Sequence, residues 1–80
     1  MTIDQIKRAI IKEILEVAPD VEEDEIEPNE NIQRSLEIDS FDFLNVLTAL
    51  NAQLGVEVPE ADYGKVDTLE HMADYFAERL

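Results

Sequence analysis

The sequence contains no cysteine and a single histidine, His71, among its 80 residues. Without cysteine, the chain can form no disulfide bond, no thiolate metal site and no cysteine nucleophile. A serine hydrolase needs a histidine base, an acid that orients it and an oxyanion hole. Because His71 lies in the polar part of the last predicted helix, we expect a surface residue there rather than a base, and we predict no catalytic residue.

Glycine and long apolar runs are also scarce. The only glycines, Gly55 and Gly64, form neither a glycine-rich phosphate loop nor a nucleophile elbow. No stretch approaches the roughly 20 apolar residues of a membrane-spanning helix, and the N-terminus lacks the basic and apolar segments of a signal peptide. We therefore expect a cytoplasmic protein with no membrane span.

Basic residues are few, with 6 lysines and arginines against 20 aspartates and glutamates, and the net charge is −14. Such a chain repels nucleic acid and anionic membranes, so basic protein surfaces are the expected partners. Solubility alone is an equally good explanation of the acidity. Hydrophobic residues make up 45% of the chain, enough for a core, and the length predicts one domain over residues 1–80, expected to be a monomer.

Apolar residues recur at helical spacing in three segments. The first covers residues 2–17, where Thr2 and Gln5 form a capping-box pattern. The second covers residues 40–54 and is followed by Gly55, a natural helix C-cap.

The last helix is predicted to begin at Asp67 or Thr68, with Asp67 and Glu70 spaced as a capping box, and residues 59–64 suit a single helical turn. Together these elements predict an all-α fold, a small four-helix bundle of three longer helices and one short one. The positions predicted to face its core are Ile3, Ile6, Ile10, Ile14, Val17, Phe43, Val46, Leu47, Leu50, Leu54, Leu69, Met72, Ala73, Phe76 and Leu80.

Residues 20–30 contain seven carboxylates and show no sustained periodicity. Their spacing partly matches a calcium-binding EF-hand loop, but Glu25 replaces the glycine of that loop and Asn31 replaces its final glutamate. A solvated acidic loop is favoured over a weak divalent-ion site, and no metal site is predicted. The side chains expected to anchor residues 19–39 over the core are Ile26, Ile32, Leu36 and Ile38.

Residues 36–44 join this loop to the second helix. Asp39 can cap the helix by accepting a hydrogen bond from a free backbone N–H, and Asp42 lies in the first turn, where negative charge suits the helix dipole. Ser40 then lies at the positive end of the helix, where a phosphate ester on its hydroxyl is electrostatically favoured. The alternative is that Ser40 is simply a good helix-start residue. Phe41 lies off the buried stripe and either contacts a partner or folds back onto the loop.

This junction resembles the phosphopantetheine-attachment motif of acyl carrier proteins, usually Asp-(Ser/Leu)-Gly-x-Asp-Ser-Leu, in the residues Leu36-Glu37-Ile38-Asp39-Ser40-Phe41. The likeness covers nearly the whole chain. Segments 28–32, 55–59 and 65–69 resemble the loop ahead of the family's motif, the link after its second helix and the start of its last helix.

The resemblance implies that Ser40 carries 4′-phosphopantetheine, which a separate phosphopantetheinyl transferase takes from coenzyme A with the help of magnesium. The thiol of this group would hold acyl groups as thioesters, so the chain would be a carrier in lipid metabolism rather than an enzyme. A ligase or transferase would load it, and acyl-consuming enzymes with basic docking surfaces would unload it. The positions implied in contacts with these partners are Asp39, Phe41, Asp42, Asn45, Thr48, Glu57, Glu60 and Asp62.

The chain departs from the family pattern in three ways. Glu37 and Ile38 fill the turn where the family has a glycine, so we expect this loop to take a conformation that does not need glycine's freedom. Phe41 replaces the usual leucine. The outer face of the second helix is usually rich in glutamate, but here it is largely neutral after Asp42. These differences predict a specialised carrier rather than the general carrier of fatty acid synthesis.

Two alternatives stay open. A carrier of aminoacyl groups, such as a peptidyl or D-alanyl carrier, differs from an acyl carrier only in the enzyme that loads it. A helical interaction module could also keep this fold without the cofactor, although the presence of Ser40 between two acidic residues argues against it.

Overall fold

The computed structural model describes all 80 residues and contains only helices and the loops that join them. The three long helices predicted from periodicity are confirmed. The α-helices are α1 (Ile3–Val17), α2 (Ile32–Ser35), α3 (Ser40–Leu54) and α4 (Leu69–Arg79), and short 3-10 helices cover Glu23–Glu25 and Glu60–Lys65. The sequence predicted neither α2 nor the first 3-10 helix, because elements of four and three residues are too short to show a helical period. None of the helices combines the length and apolar character needed to cross a membrane.

The boundaries of α1 and α3 follow from their caps. In α1, Thr2 accepts a hydrogen bond from the Gln5 backbone N–H (3.2 Å) and donates its own N–H to the Gln5 side chain (2.9 Å), which confirms the capping box. In α3, the Asp39 carboxylate accepts the backbone N–H of Asp42 at 2.8 Å. At the other end Gly55 takes the left-handed conformation, with φ at 73°, which ends the helix.

The predicted capping box at the start of α4 is wrong. The N-cap is Thr68, whose hydroxyl accepts the backbone N–H of His71 at 3.0 Å. With the cap at residue 68, Glu70 is the second helical residue, one position short of where a capping-box glutamate must lie. Glu70 instead forms an ion pair with Lys7 of α1 at 3.0 Å.

A single cluster of 18 buried apolar residues forms the core, and α1 packs against both α3 and α4. Most positions predicted to face the core do so. Ile3 and Leu80 do not: they are 40% and 53% exposed, because each lies at a helix end beyond its packing partners. Tyr75 is buried, although it was not among the positions predicted to face the core.

The segment between α1 and α3 wraps over the core, as predicted. Ile26, Ile32 and Ile38 are buried, and Leu36 is half-buried against the same cluster. Backbone hydrogen bonds tie this segment to the start of α4. The Ile32 N–H donates to the Asp67 carbonyl at 2.8 Å, and the Glu70 N–H donates to the Pro28 carbonyl at 3.0 Å.

Candidate functional site

Ser40 is an exposed residue and the first of α3. The backbone N–H groups of Ser40 and Phe41 have no partner within the chain, because the Asp39 side chain caps only the N–H of Asp42. Unpaired N–H groups and the dipole of a 15-residue helix place partial positive charge at this end, beside the carboxylates of Asp39 and Asp42. An ester of phosphoric acid on the Ser40 oxygen would lie where negative charge is stabilised.

Ser40 has no proton acceptor within reach. Its only side-chain partner is Gln33, whose amide N–H donates to the Ser40 oxygen at 3.5 Å, and an amide cannot act as a base near neutral pH. His71 lies exposed on α4, and its Nδ1 forms a hydrogen bond with the Asp67 carboxylate at 2.6 Å. This hydrogen bond raises the pKa of the imidazole. The prediction of a surface histidine is confirmed.

Two exposed apolar side chains flank the serine. Phe41 is 73% exposed and Leu44 is 43% exposed, and they lie one turn apart on α3. The exposure of Phe41 contradicts the alternative in which its ring folds back onto Ile38 or Leu36. Contact between Phe41 and a partner stays a prediction.

A depression starts beside Ser40 and continues along α3. Its first part, about 220 Å³, is lined by Gln33, Ser40, Phe43, Leu44 and Tyr63. Leu44 and Tyr63 also border a second part of about 170 Å³, which lies between α3 and the segment that carries Glu57, Val58 and the second 3-10 helix. A group attached to Ser40 thus has an apolar surface next to it.

Glu37 is the one residue other than glycine with a positive φ, at 56°. It follows Leu36, the C-cap of α2, and the next N–H, that of Ile38, donates to the Gln33 carbonyl at 2.9 Å. This is a Schellman ending, whose geometry requires the left-handed conformation that glycine normally supplies. The expectation that this loop avoids such a conformation is wrong, because Glu37 occupies the position after the C-cap that takes a positive φ in this ending.

Comparisons with known proteins agree with this geometry. A family model described as the phosphopantetheine attachment site matches residues 8–76. The chain is also 31% identical over 75 residues to a protein of Rubrobacter xylanophilus named acyl carrier protein. The aligned region covers 90% of this chain and 93% of the relative. The chain belongs to the phosphopantetheine-attachment family. It is a carrier to which 4′-phosphopantetheine is attached, and not an enzyme.

The structure places the predicted partner-contact residues of this carrier in two groups. Asp39, Phe41, Asn45 and Thr48 are exposed on α3 or at its cap, and Asp42 is half-buried in the first turn. Across the depression, Glu57 and Glu60 are exposed, and the side chains of Thr48 and Glu57 border the same hollow. The two groups therefore adjoin, although the residues come from separate segments.

Asp62 differs from the other predicted contacts because its carboxylate is occupied within the chain. It accepts a hydrogen bond from the Tyr75 hydroxyl at 2.7 Å and pairs with Lys65 at 3.3 Å. The hydrogen bond from Tyr75 lowers the pKa of Asp62 and raises that of Tyr75. The guanidinium of Arg79 lies over the Tyr75 ring, 3.5 Å from its centroid. The hydrogen bond between Tyr75 and Asp62 joins the second 3-10 helix to α4.

Three residues around the serine were not predicted from the sequence: Gln33, Leu44 and Tyr63. Leu44 could have been found, since it lies four residues after Ser40 and therefore on the same side of α3. Gln33 and Tyr63 come from other segments, and nothing in their local pattern signals proximity to Ser40. No group of three or more acidic, histidine or cysteine side chains in the chain is arranged to hold a metal ion.

Proposed function

We propose that the chain is an acyl carrier protein in which Ser40 bears the 4′-phosphopantetheine group. The observation that carries this proposal is the exposed Ser40 hydroxyl at the N-terminal end of α3, where the backbone N–H groups of Ser40 and Phe41 are unpaired. The name of the 31% identical relative supports an acyl cargo. When bound, the group supplies a thiol that holds the acyl chain as a thioester.

The residues around Ser40 suit this cofactor. The free N–H groups of Ser40 and Phe41 would stabilise the negative phosphate, and the Gln33 amide supplies a further N–H donor within 3.5 Å of the Ser40 oxygen. The depression bordered by Leu44 and Tyr63 begins at the attachment point and offers apolar surface to the arm or its cargo. The chain supplies attachment and presentation, and partner enzymes supply the chemistry.

The expected partners are a phosphopantetheinyl transferase, a loading ligase or transferase, and acyl-consuming enzymes with basic docking surfaces. The net charge of −14 supports basic surfaces, since opposite charge speeds and orients the encounter. In this proposal Phe41 is the apolar anchor, and Asp39, Asp42, Asn45 and Thr48 surround it on α3. Glu57, Glu60 and Asp62 form the opposite rim, with Asp62 acting chiefly by holding that rim in place.

Intact mass tests the attachment. The parent chain should gain one phosphopantetheine when incubated with coenzyme A, magnesium and a promiscuous transferase, and Ser40→Ala should gain none. Ser35→Ala is the matched control, because Ser35 is the only other serine, is also exposed and ends α2 nearby. It should be modified like the parent. No gain by a folded parent, shown by its circular dichroism, would favour an unmodified interaction module.

We further propose a specialised carrier. The outer face of α3 presents neutral side chains after Asp42, including exposed Asn45, Thr48, Asn51 and Gln53. A partner that recognises a row of acids on this face should bind weakly. Holo protein titrated against a malonyl transferase or ketosynthase of general fatty acid synthesis should therefore react slowly, and Thr48→Glu should react faster. Parent rates equal to those of the enzymes' own carrier would contradict the specialised role.

The single domain, the monomeric state and the cytoplasmic location stay predictions from the sequence. Sedimentation of the purified chain at several concentrations checks the monomer, for which we expect a mass near 9.1 kDa at every concentration.

A further inference from the structure

The second 3-10 helix forms one wall of the depression beside Ser40. Its residue Tyr63 borders both parts of that depression, and Leu44 of α3 is the only other residue that does so. Tyr63 is half-buried and packs against the core cluster. The position of the Tyr63 ring therefore sets the width of the depression next to Ser40.

The second 3-10 helix has little support of its own. None of its six residues is fully buried, and its N-cap, Pro59, makes no side-chain hydrogen bond. Six residues also exceed the three or four that such helices commonly reach, because their hydrogen bonds have poor geometry. The nearest buried residues, Val58 and Val66, lie just outside its ends. The helix therefore depends on a neighbouring element to hold it in place.

That support comes from α4 through one hydrogen bond. The buried Tyr75 donates its hydroxyl proton to Asp62 at 2.7 Å, and no other hydrogen bond joins the second 3-10 helix to another helix. Hydrogen bonds to a carboxylate are stronger than those between neutral groups. Tyr75 is itself held in place, because Arg79 lies over its ring and donates to its backbone carbonyl at 3.0 Å. Asp62 directly precedes Tyr63, so the bond acts one residue away from the ring that borders the depression.

We propose that Tyr75 is a positioning residue for the phosphopantetheine arm. Through its hydrogen bond to Asp62 it keeps the wall of the depression closed, with the Tyr63 ring placed to contact the arm or its cargo. When the bond breaks, the wall opens and this apolar contact is lost. Tyr75 itself borders neither part of the depression. The inference rests on the proposed modification of Ser40.

Amide hydrogen exchange of the unmodified chain measures how often the wall opens. Tyr75→Phe removes one oxygen atom and keeps the ring under Arg79. We expect residues 60–65 to exchange about tenfold faster in Tyr75→Phe than in the parent, because a hydrogen bond to a charged group is lost. Lys65→Gln is the matched control, since it removes only the exposed ion pair of the same carboxylate, and it should stay within about twofold of the parent.

A double variant separates the loss of this bond from a general loss of packing. Asp62→Ala should raise the exchange of residues 60–65 by a similar factor, and combining it with Tyr75→Phe should raise it no further, because both substitutions remove one shared interaction. Effects that multiply in the double variant would show that the two side chains act independently, which would overturn the inference. Asp62→Ala alone serves if Tyr75→Phe does not fold, since Asp62 is only half-buried.

Exchange in the holo chain tests the contact with the arm. Attachment at Ser40 should slow the exchange of residues 60–65 by about threefold, because a group that contacts only the closed wall stabilises it. In Tyr63→Ala, attachment should leave that exchange unchanged. Equal exchange in the apo and holo parent, or in the apo parent and apo Tyr75→Phe, would overturn the inference while leaving Ser40 modification intact. A parent that gains no phosphopantetheine would overturn the proposed function and the contact with the arm, whereas exchange in the apo chain would still measure the hydrogen bond.

Discussion

Leu50 is fully buried where α3 faces the core. Leu50→Ala should lower the free energy of unfolding by about 2–5 kcal/mol, because it removes packed methyl groups and leaves a cavity. The neighbouring Asn51 is exposed, so Asn51→Ala should change the free energy of unfolding by less than about 0.5 kcal/mol. Urea denaturation of the three chains measures both values. A small loss for Leu50→Ala would mean that the core relaxes around the missing side chain.

Residue by residue, the sequence predicted what local chemistry determines. Asp39 and Gly55 mark the ends of α3 because one can cap it and the other can take the left-handed conformation. Glu37 could not be predicted in the same way, since its positive φ belongs to the ending of α2 and contradicts the preference of glutamate. Gln33 and Tyr63 approach Ser40 only through packing between segments, which local sequence does not encode.

At the scale of elements, the start of α4 carries the pH response. Asp67 accepts from the protonated His71 ring, so the pKa of His71 is raised above its ordinary 6.5, chiefly by this hydrogen bond, and that of Asp67 is lowered below 3.8. A raised histidine pKa contributes stability that is fully present below the pKa of the unfolded state. That contribution is lost as the pH rises through the pKa of the folded state. The lowered pKa of Asp67 contributes stability that is present above pH 3.8 and is lost as the pH falls through the folded-state pKa of Asp67.

We therefore expect stability to fall as the pH rises from about 6.5 through the folded pKa of His71, and His71→Gln to remove that slope. Titration by NMR is direct because the chain has one histidine. Its midpoint should lie above 6.5 in the parent and return toward that value in Asp67→Asn. An unchanged midpoint in Asp67→Asn would assign the shift to the neighbouring carboxylates of Glu70 and Asp74.

The elements themselves were predictable in proportion to their length. Helices α1, α3 and α4 span several turns, so their apolar periods stand out. The four residues of α2 show no period, and α2 exists because Asn31 caps it and Ile32 is buried. The error at the start of α4 came from two adjacent residues that can both cap a helix, Asp67 and Thr68, a choice that only packing settles.

For the whole molecule, the net charge of −14 should limit stability through self-repulsion. Sodium chloride should therefore raise the melting temperature by screening the carboxylates, most densely placed in residues 20–30. Magnesium chloride at equal ionic strength should give a similar rise, because these side chains form no metal-binding group. A much larger rise with magnesium would contradict this and indicate a specific divalent-ion site.

Two backbone hydrogen bonds join the segment that precedes Ser40 to the start of α4, from Ile32 to Asp67 and from Glu70 to Pro28. During synthesis, the segment that positions Ser40 cannot reach its final structure until residues 67–70 have left the ribosome. A nascent chain that ends before α4 would expose the serine on an unfinished scaffold. We therefore expect attachment to follow the emergence of residues 67–70, so that a chain lacking the start of α4 is a poor substrate for the transferase.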